Sequence, residues 1–201
     1  MTALFVPRLL LITPPKDEDG QMMTVLEAAL QGGVDAVLLR KKDMGSGHLL
    51  ALAAKLRLLT RQYKARLLIH SQADICLAVD ADGVHIGSSH ISKAQEIRQY
   101  LGHGKSISAS CHHAADLHEA TSSGVDFALL SPVFVTATHP DCIPLGVGRF
   151  MLLSKQIPLP VLALGGIGTH NRNTLAHYGV AVIGAIWDAN DPKQAALALS
   201  T

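Results

Sequence analysis

The largely apolar run Val125-Asp126-Phe127-Ala128-Leu129-Leu130 leads directly into Ser131-Pro132-Val133-Phe134-Val135-Thr136-Ala137-Thr138-His139-Pro140. The first part predicts a buried β-strand, and the Pro- and Gly-rich residues that follow, up to Gly148, predict an irregular loop. The strand therefore brings hydroxyl groups and an imidazole into a long loop. Loops held at strand ends by a rigid scaffold often carry function, although Pro132 and Pro140 are equally compatible with a purely structural turn.

On both sides of this run, short apolar strands alternate with helical segments along the whole chain of 201 residues. The predicted strands are 8–13, 36–40, 66–70, 83–87, 106–110, 127–130, 160–164 and 180–183. The predicted helices are 21–31, 49–63, 73–79, 92–101, 114–122, 149–156, 171–177 and 192–199. Continuous apolar strands are typical of parallel sheets that are covered on both faces. The pattern predicts a single-domain (β/α)8 TIM barrel over residues 1–201, with a doubly wound sheet as the alternative and no obvious similarity between the repeated sequences.

The composition restricts the class of protein. The chain is 48% hydrophobic and 16% charged, with a formal net charge of +1. It can therefore build a large core, but it lacks a basic patch for nucleic acid. Neither a membrane-spanning run nor a signal peptide is expected. The 3 cysteines are far apart and have no CxxC spacing, which predicts a cytoplasmic protein without a disulfide or a zinc site. A homodimer is compatible with these features.

In a (β/α)8 barrel the active site lies at the carboxyl ends of the strands. Two turns there are rich in small residues, Gly165-Gly166 after the seventh strand and Gly184-Ala185 after the eighth. Backbone N–H groups can converge on an anion at such turns, and a following helix adds a favourable dipole. We therefore expect Gly165, Gly166, Gly184 and Ala185 to bind a phosphate, with a plain tight turn at Gly165-Gly166 as the alternative.

Polar residues follow the other strands. Arg40 and Lys42 suit contact with phosphate or carboxylate groups, whereas Lys41 is expected on the solvated rim. The other candidates for substrate contact carry hydroxyl or imidazole groups. They are His70, Ser110, Ser131, Thr136 and Thr138.

Four histidines, His70, His90, His112 and His139, come from four different loops and could converge on one ligand. Each is alternatively an ordinary structural residue, and for His112 that role is a cap at the start of the next helix. A metal site built from these histidines is not supported by a recognisable ligand spacing. Cys111 is a candidate nucleophile, but a small buried hydrophobic role is the more common one for cysteine.

Several segments occur together in the order of a known family: Arg40-Lys41-Lys42-Asp43, Ala81-Asp82-Gly83-Val84-His85-Ile86-Gly87, Pro132-Val133-Phe134 with Thr136 and Thr138, and Ala163-Leu164-Gly165-Gly166-Ile167. They resemble the thiamin phosphate synthase / thiazole tautomerase (TenI-like) family over nearly the whole chain. The resemblance implies a (β/α)8 barrel, a role in thiamin biosynthesis and a thiazole phosphate ligand. Residues 108–112 and 126–140 are most similar to the branch that is fused to Nudix hydrolases.

The chain departs from the synthase pattern, in which Mg²⁺ helps to join a pyrimidine diphosphate to the thiazole phosphate. The resemblance implies Asn-Asp at the positions of His70 and Ser71, and an acidic metal ligand at the position of His90. It also implies a Lys at the position of His139 and a Gln at that of Leu38. Mg²⁺ requires hard oxygen ligands, mostly carboxylates. We therefore expect Mg²⁺ only if the protein is nevertheless a synthase.

These departures lead to three hypotheses. The first is a metal-independent thiazole tautomerase without a cofactor, with His139 and His112 as acid/base candidates because of their location. The second is a thiamin phosphate synthase with a rebuilt diphosphate site, and the third is a non-catalytic phosphate-binding protein. The sequence favours the first hypothesis. In all three the partner is a small phosphorylated molecule.

Overall fold

The strands close into a barrel in which all neighbours are parallel. A computed structural model describes residues 5–15, 20–136 and 142–200. The strands pair in chain order, and the last pairs with the first. They are Leu9–Ile12 (β1), Ala36–Leu39 (β2), Arg66–His70 (β3), Gly83–Ile86 (β4), Ser106–Cys111 (β5), Phe127–Leu130 (β6), Val161–Leu164 (β7) and Val180–Val182 (β8). The predicted (β/α)8 barrel is confirmed, and the doubly wound alternative is wrong.

Side chains alternate between the inside of the barrel and the layer beneath the helices. In β1, Leu10 and Ile12 belong to the inner apolar cluster, whereas Leu9 and Leu11 belong to the outer one. Both faces of the strands are apolar, which explains why the strands read as continuous apolar runs. The members of the inner cluster come from β1, β2, β3, β6, β7 and β8. β4 and β5 contribute polar side chains to the same interior instead.

Helices surround the barrel. They are Met22–Gln31 (α1), Ser46–Gln62 (α2), Ala73–Ala78 (α3), Ala94–Leu101 (α4), Ala114–Ser122 (α5), Gly146–Lys155 (α6), Gly184–Trp187 (α7) and Pro192–Ser200 (α8). Short 3-10 helices span Ser88–Lys93 and Arg172–Leu175. None of the helices in the described ranges is long and apolar enough to cross a membrane.

The helix predicted over residues 171–177 is wrong, since only a short 3-10 helix forms there. The Asn171 side chain explains the difference. Its Oδ1 accepts a hydrogen bond from the Gly168 N–H, and its Nδ2 donates to the Gly166 carbonyl, both at 2.9 Å. These bonds hold the chain in a compact loop after β7. The short helix α7, by contrast, lies where the sequence predicted only a turn.

An aspartate precedes every second strand of β2 to β6: Asp35 before β2, Asp82 before β4 and Asp126 before β6. Each carboxylate accepts backbone N–H groups of the neighbouring odd-numbered strand, at distances of 2.6 to 3.1 Å. The segments 34–39 and 125–130, VDAVLL and VDFALL, carry this repeat in the sequence itself. The expectation that the structural repetition has no sequence counterpart is therefore wrong for these units.

Candidate active site

A cavity of about 740 Å³ opens at the carboxyl ends of the strands, on the side of β6, β7, β8 and β1. The predicted site residues on its wall are His112, Ser131, Thr136, Gly165, Gly166, Gly184 and Ala185. We call this the cavity half of the barrel mouth. The predicted residues Arg40, Lys42, His70 and Ser110 do not line this cavity, because they follow or end β2, β3 and β5. Thr138 and His139 lie outside the described residues.

Gly165 and Gly166 bring the loop after β7 against the loop after β6. Both have positive φ angles, 99° and 66°. A Cβ on Gly165 would lie 2.8 Å from Pro132 Cα, and one on Gly166 would lie 2.2 Å from the Val135 carbonyl oxygen. A tight turn is therefore enough to explain why both positions are glycine, with or without a bound phosphate. Among the described residues, no acceptor is paired with the Gly166 N–H, so this group is available to a ligand.

The second turn begins α7. Trp187 Nε1 donates to the Ile12 carbonyl at 2.8 Å, which fixes α7 against β1. In the part of the chain that the structure describes, the N–H groups of Gly184 and Ala185 have no hydrogen-bond partner. The Asp188 carboxylate lies close by, since a Cβ on Gly184 would be 2.5 Å from its Oδ2. Sequence reasoning missed Asp188, and its charge opposes an anion bound on this side of the turn.

His112 lies half-buried on the cavity wall, and its Nδ1 contacts both the hydroxyl group and, more closely, the carbonyl oxygen of Ser131. Its Nδ1 is 3.0 Å from the carbonyl oxygen of Ser131. A carbonyl only accepts, so Nδ1 carries the proton and the neutral ring has its lone pair on Nε2. The carboxylate of Asp116 accepts the N–H groups of both His112 and His113 at the start of α5. His113, not His112, is the residue at the capping position.

The other side of the mouth is positively charged, and we call Arg40, Lys42, His70 and His90 the cationic half. Burial, together with the charges of Arg40, Lys42 and His90, lowers the pKa of His70 to about 4. His70 is thus neutral at pH 7, but it lies within the field of three positive or titratable groups. An anion placed among them would remove the repulsion and favour the imidazolium.

A polar cluster missed by the sequence analysis fills the barrel beneath the cationic half. His85 is only 2% exposed. Its Nδ1 lies 3.0 Å from Ser108 Oγ, and its Nε2 lies 2.8 Å from Ser110 Oγ. Burial lowers the pKa of His85 to about 3, so the ring is neutral. The alternation of β4 could have shown this, because His85 is the inward position between the outward Val84 and Ile86.

Cys111 and Lys41 are both buried in the structure, and their burial bears on the roles expected for them. Cys111 is fully buried, and burial raises the pKa of its thiol to about 12, which favours the structural role over the nucleophilic one. Lys41 was expected on the rim, but it is only 8% exposed and its Nζ donates to the Pro15 carbonyl at 3.5 Å. That expectation is wrong, because the side chain folds beneath the loop after β1.

The donor set does not fit a magnesium ion. Residues 70–72 after β3 and 87–90 after β4 contain no carboxylate. Within the described ranges, no group of three or more His, Cys, Asp or Glu side chains could hold a metal ion. A hydroxyl group at Ser71 and an imidazole at His90 occupy the positions at which the family's pattern has carboxylates, the ligands that Mg²⁺ prefers.

A (β/α)8 barrel with small-residue turns after β7 and β8, and with cations after β2, is typical of enzymes that bind small phosphorylated molecules. The chain belongs to the thiamine monophosphate synthase family, whose model matches residues 9–187. The resemblance stated from the sequence is confirmed. The finer likeness to the branch fused to Nudix hydrolases stays a prediction.

Individual relatives cover nearly all of this chain. A putative thiamine-phosphate synthase of Geobacter sulfurreducens is 41% identical over 95% of this chain and 92% of its own length. A thiamine-phosphate synthase of Synechococcus is 37% identical over 94% of this chain, which spans only 54% of that longer relative. Among solved structures, a thiamine phosphate pyrophosphorylase from Pyrococcus furiosus has a TM-score of 0.83 and 29% identity, over 96% of this chain and 93% of that one.

Proposed function

We propose that this protein couples a thiazole phosphate to a pyrimidine diphosphate and so forms thiamin phosphate. The observation that carries the proposal is the division of one barrel mouth into a cavity half and a cationic half, which suits two phosphorylated substrates. The names of the relatives support the same reaction. They favour this alternative over the tautomerase that the sequence analysis preferred.

The two halves have different tasks in this proposal. The thiazole phosphate occupies the cavity half, with its phosphate near the N–H groups of Gly166, Gly184 and Ala185, whose attraction has to outweigh the opposing charge of Asp188. The pyrimidine diphosphate occupies the cationic half. When the bond between its methylene carbon and the diphosphate oxygen breaks, the electron pair leaves with the diphosphate. The thiazole nitrogen forms the new bond to that carbon.

The charge that develops on the leaving diphosphate explains the cationic half. Arg40 can make bidentate contact with phosphate oxygens, and Lys42 adds a second fixed charge. His70 is neutral before the substrate binds, and the diphosphate raises its pKa, which would let it add a further charge as the leaving group forms. Because the donor set does not fit Mg²⁺, the side chains themselves neutralise the diphosphate.

A thiazole tautomerase is the second candidate, and the geometry of His112 favours it. The neutral ring has its lone pair on Nε2 within the cavity half, where it can accept a proton from a thiazole ligand. His139 is the other acid/base candidate, by its place in the loop after β6. For this reaction, we expect His139→Ala to lower turnover by ~10²–10⁴ with little loss of binding, and His112→Ala to have the smaller effect.

One set of assays separates the candidates. The purified protein is incubated with both substrates, in Mg²⁺ or in EDTA, and thiamin phosphate is measured by mass spectrometry. We expect product in both conditions, strongly reduced in Arg40→Ala and unchanged in Arg61→Ala, an exposed arginine of α2. No product, together with turnover of the thiazole tautomer, would instead establish the second candidate. Saturable binding without either reaction would establish a non-catalytic binder.

We also propose that residues 1–201 form one catalytic unit, that its compartment is the cytoplasm and that its partners are small phosphorylated molecules. The site residues named above carry out the chemistry of this unit, and the position of each at the barrel mouth supports its role.

A further inference from the structure

A hydrogen-bonded column runs along the inside of the barrel from a fully buried hydroxyl to the mouth. Ser108 is 0% exposed, His85 is 2% exposed, and Ser110 is half-buried at the mouth end of β5. His85 bonds to both hydroxyls, to Ser108 through Nδ1 and to Ser110 through Nε2. The neutral ring has a single N–H, so it donates to one serine and accepts from the other.

The position of the Ser108 hydrogen decides which nitrogen of His85 carries its proton. Ser108 Oγ has two acceptors in reach, His85 Nδ1 at 3.0 Å and the Val84 carbonyl at 3.5 Å. Hydroxyl donors prefer short distances, and a contact of 3.5 Å is at the limit of a hydrogen bond. The single Ser108 hydrogen is therefore better placed on His85 Nδ1. The imidazole proton then lies on Nε2 and is donated to Ser110 Oγ at 2.8 Å.

We propose that His85 is a positioning residue: through its Nε2–H it occupies a lone pair of Ser110 and directs the Ser110 hydroxyl hydrogen into the barrel mouth. Ser110 thereby acts as a hydrogen-bond donor to an anionic oxygen. The opposite tautomer would point the Ser110 hydrogen at the ring and present only lone pairs to the ligand. A negatively charged group of a ligand in the cationic half accepts hydrogen bonds, so a donor at Ser110 suits it.

The neighbourhood indicates which ligand group meets this donor. The His85 ring lies 6.0 Å from the His70 ring, centroid to centroid. His70 in turn lies within the field of Arg40 and Lys42. Ser110 therefore borders the cationic half, and the ligand group is a phosphate oxygen of the diphosphate. This part of the inference rests on the proposed function, whereas the orientation of His85 does not.

The first test is spectroscopic and needs no substrate. Long-range ¹H–¹⁵N correlation spectra of the ¹⁵N-labelled protein identify the protonated ring nitrogen of His85, assigned by comparison with His85→Gln. We expect the Nε2–H form in wild type. In Ser108→Ala the ring loses the donor to Nδ1 and with it the preference for one tautomer, so we expect a mixture of the Nε2–H and Nδ1–H forms. The Nδ1–H tautomer in wild type would overturn the proposal.

The second test is a double-mutant cycle with inorganic diphosphate as the probe, measured by calorimetry. Ser108 is fully buried, so a merely structural loss would weaken binding by the same factor whatever residue occupies position 110. We expect Ser108→Ala to weaken diphosphate binding by about 3- to 10-fold, and to have no further effect in Ser110→Ala. Equal effects in both backgrounds would overturn the positioning role.

The two tests separate this inference from the proposed function. Coupling activity together with the Nδ1–H tautomer would leave the function standing and contradict the role of His85. The Nε2–H tautomer without diphosphate binding would leave the orientation standing and contradict both the ligand and the coupling reaction.

Discussion

His85 and His70 share the inner wall of the barrel, but their surroundings differ. The partners of the His85 ring among the described residues are hydroxyl groups, and burial is the main cause that lowers its pKa to about 3. His70 lies nearer the mouth, where Arg40 and Lys42 add to the effect of burial. His85 is thus neutral because it is buried, and His70 is neutral until an anion binds beside it.

The buried His85 should make the fold sensitive to acid. Its pKa is about 3 in the folded chain and about 6.5 in the unfolded chain. Between these values the unfolded chain binds more protons, so the free energy of unfolding falls as the pH falls from about 6.5 towards 3. At pH 5 the loss due to His85 is on the order of 2 kcal/mol.

Urea denaturation between pH 7 and pH 5 measures this loss. His85→Gln keeps a polar group at the position but cannot titrate, so its stability should fall less steeply with acidification than that of wild type. The exposed His103→Gln serves as the control and should follow the wild-type slope. Parallel curves for wild type and His85→Gln would show that the ring does not contribute.

His70 should take up a proton when an anion binds in the cationic half. Its pKa of about 4 in the free protein rises when negative charge comes close. Because binding then takes up a proton, the affinity for inorganic diphosphate increases as the pH falls from 7 towards 5. Calorimetry in two buffers of different ionisation enthalpy gives the number of protons taken up, which His70→Asn should reduce. Unchanged proton uptake in that variant would exclude His70 as the group that titrates.

At the level of the elements, the aspartates before β2, β4 and β6 tie each even-numbered strand to its odd-numbered neighbour. Asp82 is the most heavily bonded. Its Oδ2 accepts the Leu67 N–H at 2.8 Å and Arg57 at 2.6 Å, and its Oδ1 accepts Arg66 at 2.8 Å. Its side chain is 12% exposed and that of Arg57 is 13% exposed. Removal of the carboxylate leaves a largely buried guanidinium and a backbone N–H without this partner.

Asp82→Ala should therefore cost about 2–4 kcal/mol of unfolding free energy. The matched control is Asp80→Asn, two residues away: the Asp80 carboxylate pairs with Arg61 and Lys105 but is 64% exposed, and Asn tolerates the φ of 51° at this position. That change should cost at most about 1 kcal/mol, because exposed ion pairs contribute little. Chemical denaturation of both variants measures the two losses of unfolding free energy. Similar losses would show that the burial of Asp82 does not cause a larger cost. Neither change touches the barrel mouth.

The elements also show where the sequence was informative. Strand β6 and helix α5 have the bounds that apolar pattern and turn residues predicted, because burial of their apolar faces dominates locally. The loop after β7 was mispredicted because the Asn171 side chain replaces helical hydrogen bonds, which no periodicity reveals. The alternation of β4 places the His85 ring inside the barrel, but its hydroxyl partners were not predicted because they lie on the neighbouring strand β5.

In the molecule as a whole, among the described residues, paired charges lie at the amino ends of the strands and unpaired cations at the carboxyl ends. Asp82 and Asp126 at the amino ends of the strands are paired with Arg57, Arg66 and Arg98. At the carboxyl ends, Arg40 and Lys42 form no ion pair with any residue in the described ranges. The formal net charge is only +1, so attraction of an anionic substrate comes from this local arrangement and weakens as salt screens it.

The same arrangement predicts how the protein responds to Mg²⁺. The cationic half already supplies positive charge where a synthase of the family's pattern would use a metal ion held by carboxylates. Coupling by wild type should therefore continue in EDTA at a rate within a few-fold of that in Mg²⁺. A strict requirement for Mg²⁺ would contradict the assignment of the cationic half to the diphosphate.

A double variant that gains two carboxylates tests the same response to Mg²⁺ from the opposite direction. Ser71→Asp with His90→Asp restores carboxylates at the two positions where the family's pattern implies them. Ser71 has a φ of 60°, a conformation that Asp tolerates better than most residues. The double variant removes one imidazole and adds two negative charges, so without metal it should bind inorganic diphosphate more weakly than wild type. Mg²⁺ should then restore its binding while leaving that of wild type nearly unchanged, as calorimetric titration with and without the ion would reveal. If the ion strengthens binding equally in both proteins, the metal acts on the diphosphate in solution and the protein's own donors do not decide the response.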